Sequence, residues 1–81
     1  MSLRWIRNVV VDGEKATLEI QLGEKRIGDK SYARVNKEVE TWYNAPYFER
    51  DKVLEEGKKL LKDRFANRII KYPDGRDFNW E

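Results

Sequence analysis

The sequence predicts a two-layer α+β domain in which one long amphipathic helix packs on a curved antiparallel sheet. Three observations predict it. The first half is rich in β-branched and aromatic residues and alternates apolar with polar side chains, as half-buried strands do. The second half places Val53, Leu54, Gly57, Leu60, Leu61, Phe65 and Ile69 at helical spacing. Gly-containing turn signals separate the segments. The predicted order is β-β-β-α followed by a short C-terminal β-hairpin, and the 81 residues read as one small domain.

Each element has a local reason. Leu3 to Val11 is a Trp-, Ile- and Val-rich strand, and Asp12-Gly13 after it is a hairpin turn signal. Ala16 to Leu22 follows, with Leu18, Ile20 and Leu22 on one face and Thr17, Glu19 and Gln21 on the other. Gly23 marks a bulge, strand character resumes through Lys25-Arg26-Ile27, and Gly28-Asp29-Lys30-Ser31 is the next turn. Tyr32 to Tyr43 reads as one strand. Ala33, Val35 and Val39 share one side, and Tyr32, Arg34, Asn36, Glu38, Glu40 and Trp42 the other.

Asn44-Ala45-Pro46 is a helix start, a capping residue with Pro in the first turn. Glu49, Asp51, Glu55 and Glu56 lie early in that helix, and Lys58, Lys59, Lys62, Arg64 and Arg68 late, matching its dipole. Gly57, inside the stripe, implies a close approach of helix to sheet. Residues 68–72 either finish the helix or open a strand. Pro73-Asp74-Gly75 is a turn, and Phe78 and Trp80 alternate after it, so a terminal hairpin is the preferred reading. The expected core is Leu18, Ile20, Leu22, Val35, Val39, Val53, Leu54, Leu60, Leu61 and Phe65.

The first hairpin has two registers. A two-residue Asp12-Gly13 loop puts Trp5, Arg7, Val9 and Val11 on the Leu18 and Ile20 face. A three-residue loop puts Ile6, Asn8 and Val10 there and turns Trp5 and Arg7 outward. The apolar count favours the first.

Composition excludes several functions. With no Cys there is no disulfide framework, thiolate metal site or thiol nucleophile. With no His the commonest general base and transition-metal ligand is missing. No Gly-rich phosphate loop is present, so no cofactor is expected. Seventeen Lys and Arg against 15 Asp and Glu give a net charge of +2. No apolar run is long enough to span a bilayer, so no membrane partner and a cytoplasmic location are expected.

The leading functional expectation is a non-catalytic binding module. Tyr32, Arg34 and Trp42 would share an exposed aromatic and basic sheet face, joined by Trp5 and Arg7 in the second register. Such a face stacks unpaired bases and neutralises phosphates, or enters a DNA groove as strands. Another protein, or a second copy of the chain, is the other candidate partner. The basic end of the helix, including Lys58 and Lys62, is a second candidate for phosphate contact. Carboxylate pairs at Asp74 and Asp77, and at Glu38 and Glu40, are the candidates for acid–base or metal chemistry. They fall short of a calcium loop's ligand density, and neither catalysis nor a metal site is expected.

No family motif is carried by the residues. The β-β-β-α order over residues 4–70 resembles the small sheet-reading DNA-binding modules of some phage-type recombinases. That likeness of topology implies a sheet-borne DNA contact. The lack of Cys and His, the tight Gly turn and the dipole-matched helix charges also resemble computationally designed α+β proteins. That second likeness implies a scaffold with no natural ligand or activity. Gly57, the off-pattern Arg7 or Asn8, and the irregular 44–48 segment depart from it.

Overall fold

Asp12 and Gly13 both adopt positive φ, at 50° and 86°, which closes a two-residue turn of the kind a twisted hairpin favours. The computed structural model, which describes residues 4–21, 30–45 and 49–80 (backbone alone at 39 and 40), pairs Val11 with Glu14 across that turn. This is the first of the two registers. β1 (Arg4–Val11) and β2 (Glu14–Gln21) therefore put Trp5, Val9 and Val11 on one face with Leu18 and Ile20, all of them buried.

β3 (Lys30–Val35) pairs antiparallel with β2, and β4 (Glu38–Asn44) with β3. The predicted single strand from Tyr32 to Tyr43 is corrected here. It is a hairpin, folded at Asn36 and Lys37, which both take positive φ (53° and 68°). Asn tolerates that conformation, because its short amide can bond locally. Its backbone N–H donates to the Thr17 carbonyl and its side-chain oxygen accepts from the Thr17 N–H, both at 2.9 Å. The register of β4 shifts by one residue between Ala33 and Arg34, a bulge at Glu40. Lys30 and Ser31, expected in a turn, open β3 instead. The expectations at residues 22–29, including Leu22, Gly23 and Gly28, fall outside the described residues, as does the side chain of Val39.

The helix α1 (Arg50–Arg64) lies against β2 and β3 on the core face, where Val53, Gly57 and Leu61 recur every four residues and are buried. It begins later than Asn44-Ala45-Pro46 predicts. Asn44 ends β4, Ala45 is fully buried in the core, Pro46 lies outside the described residues, and Glu49 precedes the first turn without a side-chain cap. The helix also ends before Ile69, which is 65% exposed and off the apolar stripe. Asn67, at a φ of 65°, turns the chain away. Leu54 and Phe65 pack on the core while partly buried, and Leu60 is likewise only partly covered.

Gly57 has the role its place in the stripe implies. A Cβ there would lie 2.7 Å from the Tyr43 hydroxyl and 2.8 Å from Cδ1 of Ile20. The Tyr43 hydroxyl donates to the Val53 carbonyl at 2.7 Å, tying β4 to the helix.

Beyond the helix, Asp12 catches the returning chain. Its N–H donates to the Ile69 carbonyl at 2.9 Å and its carboxylate accepts from the Ile69 N–H at 3.0 Å. β5 (Ile70–Lys71) then pairs with Val10 and Val11 of β1 and bridges to Asp77 across the Pro73–Gly75 turn. The terminal hairpin is thus present in minimal form. The five strands lie in the order β4-β3-β2-β1-β5, every pair antiparallel. Among the described residues no helix is long and apolar enough to cross a membrane.

Candidate binding face

Strand alternation gives the sheet an outer face, opposite the helix. Register lines its residues up in rows. One row runs Trp42, Tyr32, Gln21, Arg4 across β4, β3, β2 and β1. The next joins Arg34, Glu19 and Ile6, and a third joins Asn36, Thr17 and Asn8. Lys15, Val10 and Lys71 close the face at the β5 end.

Tyr32, Arg34 and Trp42 are brought together here, though in different states from those expected. Trp42 is 50% exposed. Its ring lies 5.0 Å from that of Tyr32, tilted by 51°. Tyr32 itself is buried, with the Arg34 guanidinium 5.1 Å over its ring. Its hydroxyl donates to the Gln21 side-chain oxygen and approaches Glu19 at 3.5 Å. Burial, and then the negative charge of Glu19, hold that hydroxyl above its ordinary pKa, so it remains a neutral donor.

Arg34 is engaged from within the protein. Its Nη2 donates to Oε1 of Glu19 at 2.8 Å and the two groups form a close ion pair, with Arg4 approaching the same carboxylate at 3.9 Å. Glu19 is 6% exposed, unusual for an acid on the solvent side of a sheet. Buried Nε of Arg34 has no hydrogen-bond partner. Arg34 is therefore first a structural cation that neutralises Glu19, and a full charge for a ligand is offered by its neighbours. Sequence reasoning missed Arg4, Lys15, Gln21 and Lys30 as members of this face, together with Glu19 beneath it. The signal was present in the strict alternation of β2, whose outer positions are Lys15, Thr17, Glu19 and Gln21.

Trp5 and Arg7 do not join the face, since the realised register turns both to the core side. Trp5 is buried. Arg7 escapes burial by laying its guanidinium 4.8 Å over the Trp5 ring and donating to the Ile6 carbonyl at 2.8 Å. Lys58 also approaches Trp5, at 5.7 Å. Lys58 and Lys62 line a groove of about 440 Å³ between α1 and Trp80, together with the acids Asp51 and Glu55. That groove lies on the helix layer, so the two basic candidates occupy different sides of the molecule.

Asp74 and Asp77 have structural partners. Asp74 accepts from the Arg76 N–H at 3.0 Å and from its Nε at 2.7 Å. The first of these, foremost, holds the Asp74 carboxyl below its ordinary value. Asp77 pairs with Lys71 at 3.5 Å. Glu38 opens β4 beside the Asn36-Lys37 turn. No three acids gather as a metal site among the described residues.

No protein-family model matches the chain, and no curated protein or solved structure matches it either.

Proposed function

We propose that the chain is a non-catalytic binding module that takes nucleic acid on the outer face of the sheet. One observation carries the reading, the segregation of charge. Alternation and pairing assign Arg4, Lys15, Lys30, Arg34 and Lys71 to that face, against two acids among the described residues, Glu19 and Asp77, the latter as the bridge partner of Lys71. The chain as a whole is only +2, so the cations are concentrated well beyond the average. A cationic surface surrounding a half-exposed indole is the electrostatic and stacking footprint that nucleic acid requires.

The test is fluorescence anisotropy of labelled oligonucleotides at low and at physiological salt. Micromolar binding that weakens steeply with salt is expected. Lys15→Gln and Lys30→Gln should each flatten the log–log salt dependence by about 0.7–0.9. Lys58→Gln and Lys62→Gln, on the helix layer, should leave it unchanged. No binding at low salt overturns the reading and leaves a protein-interaction module or a ligandless scaffold. Sensitivity confined to Lys58 and Lys62 also overturns it, and moves the site to the helix.

A further inference from the structure

Resting on that reading, we infer that the Trp42–Tyr32–Gln21–Arg4 row holds an unpaired base, so that the face selects single-stranded nucleic acid over duplex. Register places these four side chains on one line across four adjacent strands. At about 4.8 Å per strand spacing the ends of the row stand roughly 14 Å apart. The chemistry changes in order along it, from an aromatic face through an amide to a cation.

Trp42 is already positioned. Its ring rests on Tyr32, which is fixed in turn by the Gln21 oxygen at its hydroxyl and by Arg34 over its ring. An indole held this way loses little further freedom when a base stacks on it. Its half-exposed surface remains available, whereas Tyr32 is covered, so the row offers one stacking surface. Inside a duplex the faces of the bases are occupied by their neighbours, and only edges and phosphates are presented. In a single strand every base offers a face, and this is what a lone exposed aromatic can use.

Gln21 and Arg4 complete the row. The Gln21 oxygen is taken by Tyr32, so the amide's offer to a ligand is its NH2 donor pair, suited to carbonyl and ring-nitrogen acceptors on a base edge. Arg4, with its side chain 51% exposed, lies at the far end, where it can meet a phosphate while Glu19 fixes its position.

The deciding experiment compares one short labelled oligonucleotide, single-stranded and annealed to its complement, against the wild-type chain, Trp42→Leu and Trp42→Phe. Circular dichroism verifies that each variant is folded. The wild type should bind the single strand at least about tenfold more tightly than the duplex at low salt. Trp42→Leu keeps the apolar bulk and loses the π-face. It should weaken single-strand binding by roughly 5- to 150-fold and leave duplex binding unchanged, while Trp42→Phe retains most of the affinity. Equal binding of the two forms, or an equal loss on both in folded Trp42→Leu, overturns the stacking row and leaves a phosphate-gripping surface. If neither form binds at low salt, the nucleic-acid reading itself is refuted, so the two failures are distinguishable.

Discussion

Substituting Gly57 by Ala tests the packing of helix on sheet with one methyl group. In an exposed helix interior this change stabilises by about 1 kcal/mol, because Gly has more backbone freedom to lose. Here the new Cβ would stand 2.7 Å from the Tyr43 hydroxyl and 2.8 and 2.9 Å from the δ and γ1 carbons of Ile20. Neither neighbour yields freely. Ile20 is 1% exposed, and the Tyr43 hydroxyl is bound to the Val53 carbonyl at 2.7 Å. Overpacking by a methyl costs about 1–3 kcal/mol. Displacing Tyr43 sacrifices a hydrogen bond with a net worth of about 0.5–1.5 kcal/mol. Strain thus outweighs propensity, and Gly57→Ala should destabilise by about 1–3 kcal/mol. In a domain this small each kcal/mol lowers Tm by about 4–8 °C. Urea and thermal denaturation followed by circular dichroism give both numbers. Removing the Tyr43 hydroxyl makes room, so the Tyr43→Phe, Gly57→Ala pair should cost less than the sum of its parts. A Gly57→Ala protein more stable than the wild type would refute the close approach of α1 to Ile20 and Tyr43 and, with it, the placement of the helix on the sheet.

Two further outcomes follow from the core. Leu61→Ala should cost about 2–5 kcal/mol in the same urea titration, since Leu61 is fully buried on the helix's inner stripe, and unchanged stability would mean a different face is buried. Tyr43 sets an alkaline limit. Burial, and then the charge of Glu56, raise its hydroxyl well above the ordinary tyrosine value. Raising the folded-state pKa gives a stabilisation that is complete below pH about 10, where the unfolded chain keeps its proton, and fades as pH rises through and beyond that value. Stability against pH should therefore fall above about pH 10 in the wild type and fall less steeply in Tyr43→Phe.

Legibility in the sequence followed the range of the determinant. Asp12-Gly13 marks its turn because the backbone conformation needed there is a property of those two residues, and the apolar count on β1 then selects the register. The buried stripe of Val53, Gly57 and Leu61 is equally local, since helical periodicity alone puts those side chains on one face. The Asn36-Lys37 turn was missed because it carries no Gly, and alternation continues on both sides of it. A strand of twelve residues, twice the usual five or six, was the warning. That hairpin decides the candidate site. It sets Trp42 against Tyr32 across two strands, where a continuous strand would hold them ten positions apart.

Composition and pattern by themselves determined the class of fold, the two layers, the amphipathic helix and the absence of thiol and imidazole chemistry. These depend on side-chain chemistry and on periods of two and 3.6, which act over a few residues. Tertiary structure alone decided where the helix begins and ends, how Asp12 captures the chain at Ile69, and why Glu19 is buried on an outward-facing position. It also decided which cations share a surface with Trp42. Such facts depend on strand pairing between residues far apart in the chain, and a one-residue bulge or an added turn reassigns them without altering any local pattern.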